Sequence, residues 1–152
     1  MKVMIATDGS DFSNAAITEC CLNIIRPENT ELLIVSVYED SYPIMAEPFA
    51  MSAEYYQKVE ETVREMCDQH LDEATKIVRA QFPDPEFKVT TEILRGAPDQ
   101  QIIERAKEWD ADLIVVGSHG RGFWGRLIGS VSNGVMHHAP CSVLVVRKPS
   151  DS

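Results

Sequence analysis

Apolar residues fall into short runs separated by amphipathic or polar stretches. Met1–Thr7 (MKVMIAT) is interrupted only by Lys2, and Leu32–Val37 (LLIVSV), Asp112–Val116 (DLIVV) and Ser142–Val146 (SVLVV) are just as continuous. Short unbroken runs of this kind predict strands buried on both faces, as in the centre of a parallel sheet. Phe87–Leu94 alternates instead, which predicts a third strand nearer the sheet edge. Between the first two runs, Ala15, Ala16, Cys20, Leu22 and Ile24 recur at helical spacing, with Ser10 or Asp11 as the cap and Pro27 as the stop. A long helix is predicted from about Ser52 to Ala80. Its stripe is Val59, Val63, Met66, Cys67, His70, Ala74, Ile77 and Val78, and Pro83 and Pro85 end it. The stripe is too short, and too poor in flanking charge pairs, for a coiled coil, so it reads as core. Gly96-Ala97-Pro98-Asp99 opens a third helix running through Ala106 and Trp109, and Ser130 to about His138 forms a fourth, broken by Pro140. Tyr38–Met51, with Pro43 and Pro48, reads as irregular.

Strands alternating with helices predict a five-stranded parallel α/β sheet with right-handed crossovers and helices on both faces. No repeat or linker divides the chain, so one domain over residues 1–148 is expected, with 149–152 as a short tail. In open sheets of this type ligands collect beyond the carboxyl ends of the strands, where the strand order reverses. The candidate lining is therefore Thr7-Asp8-Gly9, Val37-Tyr38 and the loop that begins at Gly117.

Charge narrows the partners. A formal net charge of -10 argues against nucleic acid, because phosphate backbones reward clustered Lys and Arg, and here no three stand in a row. Arg121, Arg126, Arg147 and Lys148 form the nearest local concentration. The first apolar run reaches Asp8 too early for a secretory leader, and no run approaches a membrane span, so no membrane partner is expected. The cysteines at 20, 21, 67 and 141 make no CxxC pair; buried reduced thiols are expected, and with them a cytoplasmic location.

The chemistry concentrates in residues 117–132, GSHGRGFWGRLIGSVS. Gly117, Gly120, Gly122, Gly125 and Gly129 are five of the eight glycines in the chain. Glycine lets successive N–H groups turn toward one anion and lets that anion approach closely. Gly129-Ser130 then opens a helix, whose N-terminal amides and dipole favour phosphate. Ser130 and Ser132 add hydroxyls, and Arg121 and Arg126 can neutralise charge from the rim. These parts compose a polyphosphate site. It is not a P-loop, which needs Gly-Lys-Ser/Thr, and no GxGxxG follows the first strand.

On these residues the chain resembles the universal stress protein family. The resemblance covers nearly the whole sequence: ATDGSDFS, LLIVSV, RGAPDQQIIERA, ADLIVVGSHGRG and GSVSNGVMHHAPCSVLVV. The ATP-binding branch carries Gly, two residues, Gly, nine residues, then Gly-Ser or Gly-Thr. Gly117, Gly120 and Gly129-Ser130 match it, with the eight residues Arg121–Ile128 as spacer, one fewer than the pattern. The resemblance implies a Rossmann-like fold of the adenine nucleotide alpha hydrolase type, with strand order 3-2-1-4-5. It implies ATP (or ADP or AMP), with Mg²⁺ or Mn²⁺ held through the phosphates. Asp8 would lie beside the nucleoside and Val37 would meet adenine through its backbone. Gly117 would sit under the ribose and α-phosphate, and Gly120, Gly129 and Ser130 would hold the phosphates with Val131 and Ser132. Ala6, Thr7, Val116, His119, Arg121 and Gly122 complete the expected binding set. It also implies a homodimer through the strand Ser142–Val146, and a protein partner that the sequence does not identify.

Other residues read blandly. His119 is a loop side chain near the ligand rather than a general base. His137 and His138 diverge on their helix and cannot share a metal, so they cap its end. Trp124 either covers the ligand or packs on a partner. Ser10 lacks the glycine context of a pyrophosphatase loop. The leading function is an ATP-binding, stress-response regulatory protein with no dedicated catalysis. The alternatives are a dimeric interaction module that binds no nucleotide, and a slow ATPase. For the last, no base, water-orienting glutamine or arginine finger is evident.

Overall fold

A computed structural model of the chain describes residues 1–40, 52–84, 86–120 and 127–148. In chain order these form β1 (Lys2–Ala6), α1 (Asp11–Asn23), β2 (Glu31–Tyr38), α2 (Ala53–Gln81), β3 (Val89–Arg95), α3 (Pro98–Glu108), β4 (Leu113–Gly117), α4 (Ser130–His138) and β5 (Ser142–Val146). All pairings are parallel, and the sheet runs β3-β2-β1-β4-β5, with the alternating run at one edge as expected.

The pleat divides the core in two. Val3, Ile5, Leu32, Ile34 and Val115 face α1 and α2, while Met4, Leu33, Val35, Ile114 and Val116 face α3 and α4. Every one of these residues is buried, which is why the runs are continuous rather than alternating. Ser10 is the residue that caps α1, its hydroxyl accepting from the Ser13 amide at 3.2 Å.

The buried faces of α1 and α2 differ from the predicted stripes. Leu22 is 57% exposed, and Ile17 and Cys21 are buried in its place. Leu22 lies on the same side of α1 as Asp11, Thr18 and Glu19, whereas Ile17 and Cys21 continue the arc of Ala16 and Cys20 that packs on the sheet. On α2, Met66 is exposed and Leu71 is buried with Cys67, Ala74 and Val78. Phe87 precedes β3 rather than belonging to it; it is buried edge-on against Phe82, with ring centroids 5.3 Å apart. Cys20, Cys21 and Cys67 are buried free thiols and Cys141 is partly buried. Burial pushes Cys20 up to about 12, helped by the neighbouring Cys21, and Cys21 up to about 11. Among the described residues no helix is long and apolar enough to cross a membrane.

Candidate functional site

β1 lies between β2 and β4, and the crossovers from it and from β4 leave to opposite sides, so a crevice opens above its carboxyl end. The β1–β2 ladder stops at Ala6↔Val35, with the Thr7 amide donating to the Val35 carbonyl at 2.9 Å. Even-numbered residues of β2 turn their main chain to β3, as in Leu32 N–H to Lys88 O and Gly96 N–H to Tyr38 O, both 2.9 Å. Val37 has the parity of Val35. Its N–H and C=O therefore point to the side on which β1 has already ended, into the crevice.

The turn after β1 is rigidly built. Asp8 Oδ1 accepts from the Ser10 amide at 3.0 Å, and Thr7 Oγ1 accepts from the Gly9 amide at 3.2 Å and meets Ser13 Oγ at 3.1 Å. Gly9 has φ +72°, and a Cβ there would lie 2.3 Å from the His70 ring of α2. Only glycine fits both the backbone conformation and the contact. With Ser10 capping it, α1 uses its own N-terminal donors.

The end of α4 is built differently. Its N-cap is Gly129, with φ -62° and ψ 157° and no side-chain cap. An α-helix leaves its first amides without intrahelical partners, and here no hydroxyl caps them and Gly129, Ser130, Val131 and Ser132 line the crevice. Ser132 Oγ instead donates to the Gly117 carbonyl at 2.6 Å, tying α4 to the end of β4. The base of the glycine loop is closed by the Gly129 amide on Ser118 O at 2.8 Å and by His119, whose Nε2 meets Leu127 O and whose Nδ1 lies 2.9 Å from Ser118 Oγ. The His119 ring also packs on Phe12, with centroids 5.0 Å apart. A Cβ on Gly120 would lie 2.8 Å from Asp8 Oδ2, and one on Gly129 would lie 3.3 Å from His119 Cα. His137 and His138 direct Nδ1 to the carbonyls of Asn133 and Gly134 at the far end of α4.

These elements enclose a cleft of about 340 Å³, within the size range of small-molecule sites. Ala6, Thr7, Asp8, Val37, Val116, Gly117, His119, Gly120, Gly129, Ser130, Val131 and Ser132 all line it. Arg121, Gly122, Trp124 and Arg126 lie outside the described residues. Three lining residues, Ser13, Pro98 and Ile102, escaped the sequence reading. They arrive from α1 and α3 through tertiary packing, and nothing local marks them. The cleft is polar at the glycine end and apolar where Val37 and Ile102 meet. A smaller cavity of about 40 Å³ lies beside Tyr38 and is lined by Arg95 with its ion-pair partners Asp40 and Glu60. Among the described residues no group of three His, Cys, Asp or Glu could hold a metal ion.

The donor set fits a nucleotide. Helix amides and two Cβ-free positions offer close approach to phosphate, and the Val37 main chain offers one donor and one acceptor to a base edge. A divalent ion would be carried by the phosphates, where it would neutralise charge.

The family profile described as the universal stress protein family matches residues 1–147. Universal stress protein MJ0531 of Methanocaldococcus jannaschii is 36% identical over 149 residues, covering 97% of this chain and 82% of that protein. Universal stress protein UspA from Lactobacillus plantarum superposes with TM-score 0.75 at 28% identity, covering 97% of each chain. A universal stress protein family protein from Arabidopsis thaliana, solved with AMP bound, shares the fold at TM-score 0.70 and 20% identity, covering 99% of this chain and 94% of that one. The chain belongs to the universal stress protein family.

Proposed function

We propose that this protein is an adenine-nucleotide-binding regulator whose cleft holds ATP, with a divalent ion on the phosphates. One observation carries the reading: the N-terminus of α4, which has no side-chain cap, lines the same cleft as the unpaired edge of Val37. The adenine would lie at the apolar end against Val37, the ribose beside Asp8, and the phosphates over Gly117, Gly120, Gly129 and Ser130, with Ser132 as a further hydroxyl. Arg121 and Gly122 would join them from the loop. AMP in the Arabidopsis protein of the same fold supports an adenine ligand. Residues 1–148 act as one domain, and two copies pair through β5, whose partly exposed apolar residues would otherwise leave an open sheet edge. No catalytic role is assigned to any residue; the protein works in the cytoplasm by changing partner or conformation with nucleotide.

Chromatography of what is released when the purified protein is heat-denatured tests this directly. An adenine nucleotide in amounts approaching one per chain supports the reading. An empty supernatant, together with a melting temperature that ATP leaves unchanged in both the parent protein and Gly129→Leu, would favour the interaction module that binds no nucleotide.

A further inference from the structure

Asp8 is held in place partly from outside the cleft. Given the nucleotide reading above, on which this rests, we propose that His70 of α2 is a positioning residue for the ligand. Its ring fixes the Asp8-Gly9-Ser10 turn and so sets the Asp8 carboxylate in the cleft.

His70 is not among the residues that line the cleft, whereas Asp8 is. The ring instead occupies the space that a side chain on Gly9 would need. A Cβ there would stand 2.3 Å from His70 Cδ2, 2.8 Å from Nε2 and 3.0 Å from Cγ. α2 therefore packs directly on the backbone of the turn. The helix is itself anchored around that point. Cys67, Leu71 and Ala74, within a turn or so of His70, are buried, and Asn14 Nδ2 of α1 donates to Glu73 Oε1 of α2 at 2.8 Å.

On the cleft side the carboxylate has little slack. Asp8 Oδ1 accepts from the Ser10 amide at 3.0 Å, and Oδ2 faces Gly120 so closely that a Cβ there would lie 2.8 Å away. Asp8 thus reaches from the turn to the glycine loop across the crevice. Gly9 is its immediate neighbour, so backbone movement at Gly9 carries the carboxylate toward or away from Gly120. With the ring removed, the turn gains room to move into the space it filled. Binding must then fix the turn again, an ordering cost that a preorganised site does not bear.

His70→Ala and, separately, His70→Ser remove the ring, so that failure of one to fold leaves the test standing. His70→Leu keeps carbon atoms at the positions of Cγ and Cδ2, two of the three nearest to Gly9. Calorimetric titration with ADP is done on the full chain, at a temperature where each protein is folded. It should show the ring-less variants binding roughly three- to tenfold more weakly than the parent, and His70→Leu binding nearly as tightly as the parent. In an Asp8→Ala background the loss of the ring should change ADP affinity little, because the group it positions is gone. A role confined to stability would lower the melting temperature and leave ADP affinity where it was. Unchanged ADP affinity in the folded ring-less variants overturns the proposal, as does a loss of the same size with and without the Asp8 carboxylate, or a His70→Leu protein as weak as His70→Ala. Without ligand, Gly9→Ala should lower the melting temperature less in the His70→Ala background than in the parent, because the ring its Cβ strikes is gone. Equal drops overturn the packing on which the proposal stands. Absence of binding by AMP, ADP and ATP alike in the parent is a separate result, which removes the nucleotide reading and this proposal with it.

Discussion

Gly117→Ala and Gly120→Ala should separate stability from binding at the same loop. A Cβ on Gly117 would lie 2.7 and 2.8 Å from the carbonyl carbon and oxygen of Phe12 and 2.9 Å from the Ser13 amide nitrogen. All three are backbone atoms in the first turn of α1, so relief requires α1 to move by several tenths of an ångström or more. That movement strains the Ser10 cap and the Thr7–Ser13 contact. Overpacking of this kind costs about 1–3 kcal/mol, and weakening a cap adds roughly 1 kcal/mol. A loss of about 2–4 kcal/mol lowers the melting temperature of a chain this size by roughly 4–15 °C. A Cβ on Gly120 would instead meet Asp8 Oδ2, one oxygen of a carboxylate whose other oxygen accepts from the Ser10 amide, so its stability cost is that of disturbing a side-chain hydrogen bond, about 1 kcal/mol. Its Cβ would still stand beside Asp8 in the cleft, in the way of the nucleotide in the proposed pose. Differential scanning calorimetry without ligand should give a large drop for Gly117→Ala and a small one for Gly120→Ala. Titration with ADP should show binding lost in the folded Gly120→Ala protein. A Gly117→Ala protein that melts within a degree or two of the parent would refute the packing argument.

The Glu92–Arg105 pair gives a pH signature. Its hydrogen bonds from Arg105 hold the Glu92 carboxyl below the usual carboxylate range. Its stabilisation is therefore full above that ordinary value and is lost as pH falls through the lowered one. Glu92→Gln should be less stable than the parent by about 1 kcal/mol at neutral pH in urea melts, with the difference vanishing in acid. With burial raising Cys20 and Cys21, both should stay silent to a disulfide reagent at pH 8 with the similarly buried Cys67, while all four cysteines react in guanidinium. Val143→Lys on β5, which also packs against the core with Ile114, should convert the proposed homodimer to a monomer in sedimentation velocity while circular dichroism shows it still folded; an unchanged dimer would place the interface elsewhere.

Much of this architecture was legible in the residues because the central strands are buried on both faces. A run such as LLIVSV admits few other readings, and β5 and α4 have the predicted bounds. The glycine spacing and the Gly129-Ser130 helix start pointed to residues that line one end of the cleft, and the strand alternation brought Thr7, Asp8 and Val37 to the same cleft. Helix faces were less legible. On α1 the predicted stripe took in Leu22, which shares its side with Asp11, Thr18 and Glu19, and passed over Ile17, which continues the arc of Ala16 and Cys20. Ser13, Pro98 and Ile102 carry no local signature of a site. They join it only because the Ser10 turn and the Gly96 bend aim α1 and α3 at the crevice.

The central claim is that amides at the start of α4 and the free edge of Val37 grip one adenine nucleotide. Calorimetric titration of the nucleotide-stripped protein with ATP and Mg²⁺ tests it most directly. The account predicts saturable binding of one nucleotide per chain with a dissociation constant below a millimolar. No heat of binding at millimolar ATP, ADP or AMP would contradict it.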